Sequence, residues 1–240
     1  MSPGEPRHFH RELDELKSLL LNMSGKAEDL VRLSIEALLD NDLMKAKRVI
    51  RGDDEIDDLE LQVDQQALSL LALQQPMARD LRLITMIMKI SNDLERVGDH
   101  AVNIAHAVTH LADVPRFTTF PEVEEMARIS LEMLSDVLDY FVQKDAEGAR
   151  EVCARDDRVD SLHNSMFRIL LTHMMEDPRR IGPAMNILLV SKNLERIADL
   201  ATNIGEDVVF LVEGKVIRHG AEEAEGRGSS DPDRNSVALS

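Results

Sequence analysis

Carboxylates one helical turn apart are the residues of this 240-residue chain best placed to do chemistry. Glu95, Asp99 and Asn103 recur at i, i+4 and i+8, and Asp53 and Asp57 keep the same step. On a helix that spacing stacks successive side chains on one face. The pattern returns later in the chain as Asp156 and Asp160, then Glu195, Asp199 and Asn203. A like-charge pair at ~5 Å costs about 1 kcal/mol in water and roughly 3 kcal/mol at an effective dielectric of 20. Such rows splay into solvent, hold protons, or bind a cation. One Glu-x-x-x-Asp is most simply a solvated face. Duplication of the whole pattern, with an amide at the same offset, points to cation binding. Oxygen-only donors suit Mg²⁺, Ca²⁺, Mn²⁺ or iron over thiolate-seeking metals, and a row rather than a cage suits several bridged ions.

The two sets are not identical. Glu60 corresponds to His163, Asp64 to Phe167 and His106 to Glu206. The second site is therefore expected to be less acidic and to lean towards a transition metal through His163, with packing as that residue's plain alternative. A di-iron bundle is excluded: it needs Glu-x-x-His on inward-facing helices, and the only such spacing is Glu5-x-x-His8 near the start. No Gly-rich phosphate loop, nucleophile elbow or His-Glu-x-x-His motif is present. Asp80-Leu81-Arg82 reads as a first-turn acid with a local ion pair, a partner contact being the alternative. Met86, Met88 and Met174 sit in apolar segments and read as packing.

The elements that must position these acids are helices. The chain is 43% hydrophobic but 3% aromatic, so its core is built of Leu, Ile, Val, Ala and 12 Met, which favours helix packing. Apolar residues recur at helical spacing almost throughout. They predict one helix through Leu16 to Leu38, a second capped by Asp42 and ended by Pro76, and a third from about Met77 towards Leu111. After a break at Val114-Pro115-Arg116, a fourth restarts near Pro121, a fifth runs from Asp145 to Asp177-Pro178, and a sixth to about Val212. The expected fold is all-α: two tandem three-helix bundles, six long helices, related by an internal repeat. Residues 1–8 are expected to be a flexible start, 9–113 the first repeat, 120–212 the second and 214–240 a disordered tail. Ser91-Asn92-Asp93-Leu94-Glu95-Arg96-Val97-Gly98-Asp99 returns as Ser191-Lys192-Asn193-Leu194-Glu195-Arg196-Ile197-Ala198-Asp199, which carries the repeat. Antiparallel pairing about Pro76 sets Asp57 opposite about residue 95 and Asp53 opposite about 99. A turn centred near Pro178 sets Asp160 opposite about 196 and Asp156 opposite about 200.

Charge narrows the partners. At −17 the chain repels phosphate backbones and has no basic, aromatic-interleaved stretch, so nucleic acid is excluded as a direct partner. The lone Cys153 fits a reducing compartment and reads as a small apolar helix residue. No signal-type or membrane-spanning apolar run is present, so a cytoplasmic location is expected.

Asp53-x-x-Ile56-Asp57, Gln74-Gln75-Pro76, Asp80-Leu81-Arg82, Asn92-Asp93-Leu94-Glu95-Arg96-Val97-Gly98-Asp99 and Asn103-Ile104-Ala105 resemble the PhoU family over about residues 10–212. The resemblance implies a pair of three-helix bundles and a non-enzymatic, negative regulator of phosphate uptake and starvation signalling. It implies a link between a phosphate ABC transporter and a sensor histidine kinase, a homodimer, and a place at the inner membrane through protein partners. It also implies divalent or trivalent ions (iron, manganese, zinc, magnesium or calcium) on Asp53, Asp57, Glu95, Asp99 and Asn103, and on Asp156, Asp160, Glu195, Asp199 and Asn203. Asp177-Pro178-Arg179-Arg180-Ile181 replaces the Pro76-to-Arg82 element in the second half, so that element's role is confined to the first. Two other readings compete: a metal-free acidic surface docking a basic partner, and a metal-dependent phosphohydrolase, for which no base or pocket motif is found.

Overall fold

The computed structural model describes residues 5–112 and 120–217. The expected break at Val114-Pro115-Arg116 and the tail from residue 218 onward lie outside the described residues. Every long element is helical: α1 (Glu5–Asp40), α2 (Leu43–Gln74), α3 (Ala78–Leu111), α4 (Pro121–Gln143), α5 (Ala146–Cys153), α6 (Asp156–Glu176) and α7 (Ile181–Glu213), with one 3₁₀ turn at Pro178–Arg180.

Local chemistry sets several of these ends. Asp42 caps α2, its carboxylate accepting from the amides of Met44 and Lys45 at 2.8 and 3.1 Å. Asp145 does the same for α5 through Glu147 and Gly148. Pro121 opens α4 at a position where a missing N–H costs nothing. Between α2 and α3 the chain reverses through Gln75 and Ala78, both at positive φ (47° and 26°).

Two expected boundaries shift. α1 takes in residues 5–8, placed in the flexible start by sequence, because nothing after Pro6 interrupts the helical pattern and Pro6 itself lies in the first turn. The fifth rod is broken after Cys153. There Arg155 donates its amide to Val152 and accepts from Arg158, tightening one turn, while its guanidinium reaches Asp136 of α4 at 2.7 Å.

α1, α2 and α3 pack on one another around Leu16, Leu20, Met23, Ile56, Ile87 and Leu94, all fully buried. α4, the α5–α6 rod and α7 do likewise around Met126, Met133, Val159, Leu194 and Ile197. The bundles join along α3 and α7, which pack as closely as neighbours within a bundle. Lys89 pairs with Asp207 at 2.6 Å and His100 bonds Asn193 at 2.9 Å, so α3 and α7 run antiparallel. Met86 is buried, and Met88 and Met174 pack against the core, as their apolar surroundings predict. No described helix is long and apolar enough to cross a membrane.

Candidate metal centre

The helix positions beside each core stripe are where the acids fall. In the first half the core residues Ile56 and Leu94 force Asp53, Asp57, Glu95 and Asp99 to the seam between α2 and α3. Gly98 lets that seam close: a Cβ there would lie 3.0 Å from Asp53 Oδ1 and 3.1 Å from Ile56 Cδ1. The acids feel one another. Burial pushes the Asp53 carboxyl up to about 6, with Asp57, Asp99 and Asp54 adding repulsion. Asp57 is raised by burial and then by Asp99 and Asp54. Glu95 is raised by burial, then by Asp99, Glu60, Asp57 and Asp53. The hairpin register read from Pro76 is therefore the one that forms. None of these four carboxylates has an ion-pair partner among the described residues. Asn103 is exposed one turn beyond Asp99.

In the second half the acids gather more tightly. Asp160, Glu195 and Asp199 bring one carboxylate oxygen each within 4.8 Å of the others, the one such group among the described residues. Cations hold them. Lys192 Nζ donates to both oxygens of Glu195 at 2.6 Å, and Arg196 Nη1 donates to Asp199 at 2.9 Å. Burial raises the Asp199 carboxyl, Glu195 and Asp160 add to that, and Arg196 opposes it. Asp156 stands a turn away and meets Asp199 and Asn203 along a cleft of about 310 Å³. Thr202 lines it too, and its buried Oγ1 has no hydrogen-bond partner among the described residues. His163 does not join the triad: its Nδ1 faces Ser191 Oγ at 3.0 Å, and Ser191 in turn donates to the Leu188 carbonyl.

Glu60 and Asp64 were legible as acids beside the core stripe, but sequence reasoning missed that they and Asp93 face α7. Glu60, Asp64, Asn92 and Asp93 share a cleft of about 540 Å³ with Asn203, Glu206 and Asp207 of α7. Burial pushes Asp93 up to about 6 and raises Asp207, which Lys89 holds at 2.6 Å. One signal was available: Asp207 stands where the first repeat has Ala107, an acid with no counterpart on a core-facing position. The expected Asp80–Arg82 ion pair is absent among the described residues. Asp80 does open α3, but Arg82 stacks on the Phe210 ring, 5.3 Å from its centroid. Cys153 behaves as a core residue, its thiol pushed up to about 11, chiefly by burial.

The carboxylate-only donor sets fit hard cations in both halves. The first set is uncompensated and the second is pre-gathered but partly neutralised.

Two tandem three-helix bundles, each with an acidic row along a helix seam, define an all-α protein built by duplication and carrying no catalytic motif among its described residues. The chain belongs to the PhoU family: the PhoU domain matches residues 20–108 and again 123–208. It is 41% identical over 208 residues to the phosphate-specific transport system accessory protein PhoU homolog of Rhizobium meliloti, covering 86% of this chain and 87% of that one. The homolog from Clostridium acetobutylicum is 40% identical, covering 87% and 96%. Among solved structures, PhoU from Pseudomonas aeruginosa superposes with a TM-score of 0.84 at 38% identity, covering 86% of this chain and all of that one. The phosphate transport system regulatory protein PhoU from Streptococcus pneumoniae gives 0.81 at 30%, covering 88% and 99%.

Proposed function

We propose that this protein is a non-enzymatic accessory regulator of phosphate transport whose acidic helix seams bind metal ions. The match over 86–88% of the chain to proteins named as phosphate transport accessory and regulatory proteins carries the reading. It acts in the cytoplasm, reaching the inner membrane through its partners, where it links a phosphate ABC transporter to a sensor histidine kinase and restrains signalling when phosphate is plentiful. The family resemblance supports those partners and a homodimer.

The seams supply the metal part. Asp53, Asp57, Glu95 and Asp99, with Asn103 beside them, would hold ions in the first half. Asp160, Glu195 and Asp199, with Asp156 and Asn203 beside them, would do so in the second. A bound cation would offset the burial, and the mutual repulsion added to it, that raise Asp53, Asp57 and Glu95. It would tie α2 to α3 and α6 to α7, so that metal occupancy and bundle rigidity rise together.

One observation favours a metal-free docking role for the second seam alone. Lys192 and Arg196 already neutralise Glu195 and Asp199, leaving a mixed-charge surface of the kind proteins recognise.

Deleting the gene is expected to abolish repression of a phosphate-starvation reporter at high phosphate, with rescue by the intact chain. Elemental analysis of protein purified without a polyhistidine tag is expected to find metal. Retained repression in the deletion strain refutes the regulatory reading, and metal-free protein that still complements refutes the metal part.

A further inference from the structure

The Asp80-Leu81-Arg82 element takes no part in the acidic seams, and it opens on a different kind of site. A cleft of about 640 Å³ lies where the first turns of α1 and α3 meet the ends of α4 and α7. His10, Lys17, Arg79, Arg82 and Lys144 line it, with Asp80 as its one carboxylate. In a chain of 45 acids and 28 Lys+Arg, this reverses the local balance. The cations come from three separate stretches of sequence, which is why no motif announced them.

Their states differ usefully. Lys17 is held by Asp14 at 2.8 Å. Arg82 is clamped, its guanidinium over Phe210 and tight against the last turn of α7, where a Cβ on Gly214 would lie 3.0 Å from Nη1. Arg79 and Lys144 are exposed, and neither has an ion pair among the described residues. Met77 offers the amides of α3's first turn no side-chain cap. A fixed planar guanidinium beside two free cations matches the oxygens of a phosphate group. The volume falls in the range of small-molecule sites and exceeds what a bare oxyanion fills. Leu13 and Leu83, both buried, and Leu211 supply apolar wall for a carbon body.

We propose that this cleft binds a small phosphorylated molecule, with Arg79, Arg82 and Lys144 on its phosphate and Leu13, Leu83 and Leu211 against its organic part. Among the described residues the second half does not repeat the site. In the second half Gly182 stands at the place of Arg82, and Arg179 is turned onto its own Asp177 at 3.0 Å. The inference is independent of the regulatory reading and of the metal seams.

Isothermal titration with ADP and with inorganic phosphate tests it on the full chain, in low salt and with EDTA so that the acidic seams cannot take part through bridging metal. ADP is expected to bind once per chain, more weakly as salt rises. Arg79→Gln with Lys144→Gln changes exposed positions only, so circular dichroism should be unaltered while affinity falls by about tenfold or more. Asp57→Asn with Asp99→Asn should bind as the parent does. Inorganic phosphate is expected to bind more weakly than ADP, and binding as tight as ADP's would overturn the organic part of the proposal by leaving Leu13, Leu83 and Leu211 without a role. No saturable binding of either probe at millimolar concentration overturns the proposal, as does undiminished binding by the Arg79/Lys144 variant.

Discussion

The two halves carry the same acidic rows in opposite electrostatic company, and two neighbouring positions account for the difference. In the first half Asn92-Asp93 precede the row, and Asp93 draws Arg96 to itself at 3.2 Å, away from the seam. In the second, Lys192-Asn193 stand there. Asn193 has no charge to offer, so Arg196 turns to Asp199, while Lys192 covers Glu195. The Glu-Arg-x-x-Asp core is shared by both. What a carboxylate row does thus depends on where its nearest arginine is pulled, which the row itself does not encode. The first seam stays repulsive and open to multivalent cations. In the second, three carboxylates lie within 4.8 Å and two of them are covered by Lys192 and Arg196, which an incoming ion must displace.

The largest test of this contrast is Asp57→Asn with Asp99→Asn. Elemental analysis is expected to show loss of the first half's metal with the second half's share intact. Thermal stability of the metal-loaded protein should fall by ~2.7 kcal/mol if the ion is held at a hundred times its dissociation constant. Unchanged metal content would mean that these carboxylates are not ligands. Exchanging the flanking pair is the next step down. Asn92→Lys with Asp93→Asn should release Arg96 onto Asp99 and weaken first-half metal binding about tenfold, or 1.4 kcal/mol. Lys192→Asn should strengthen second-half binding, read by calorimetry in the double-Asn background. If neither exchange moves affinity, the charge context is not what separates the halves.

Gly98→Ala sharpens the comparison from the packing side, since the second repeat has Ala198. The new methyl meets Asp53 Oδ1 and Ile56 Cδ1 at about the contact limit. Overpacking of about 1–3 kcal/mol is offset by about 1 kcal/mol of helix propensity, so stability should change little or fall modestly. Metal affinity should drop further, by roughly tenfold, because Asp53 is displaced from the seam. Chemical denaturation and calorimetry on the same preparation separate the two effects.

Helical periodicity and a turn at Pro76 were enough to place Asp53 and Asp57 against Asp99 and Glu95, because a short antiparallel hairpin has one register. The Pro178 turn likewise set Asp160 opposite about 196, and it sits against Glu195 and Asp199 on either side. The break at Ala154-Arg155 was not legible, since neither residue is a breaker and the pull comes from Asp136 on another helix. Nor were Lys192 and Arg196 as the seam's counter-ions, because side-chain direction depends on which acids compete for them. The α3–α7 clefts escaped for a different reason. They join residues of different repeats, whose pairing no hairpin specifies.

The smallest expected effect is the pH dependence of the metal-free protein, and its sign distinguishes repulsive from relaxed seams. Asp53 titrates in the folded chain at about 6, above its ordinary value, through burial first and then Asp57, Asp99 and Asp54. The folded state therefore binds more protons than the unfolded state across roughly pH 4 to 6. Its contribution to stability is fully present below that window and is lost as pH rises through about 6. Asp93, also at about 6 through burial, acts in the same direction from the neighbouring cleft. In EDTA, the melting temperature is thus expected to rise on acidification from about pH 7.5 to 5.5, and Asp53→Asn should flatten that rise without removing Asp93's part. With metal bound the slope reverses, because protons compete for the ligands. A metal-free protein that instead loses stability across this window, with Asp53→Asn behaving alike, would place the first seam in solvent and remove the electrostatic reason for a cation there.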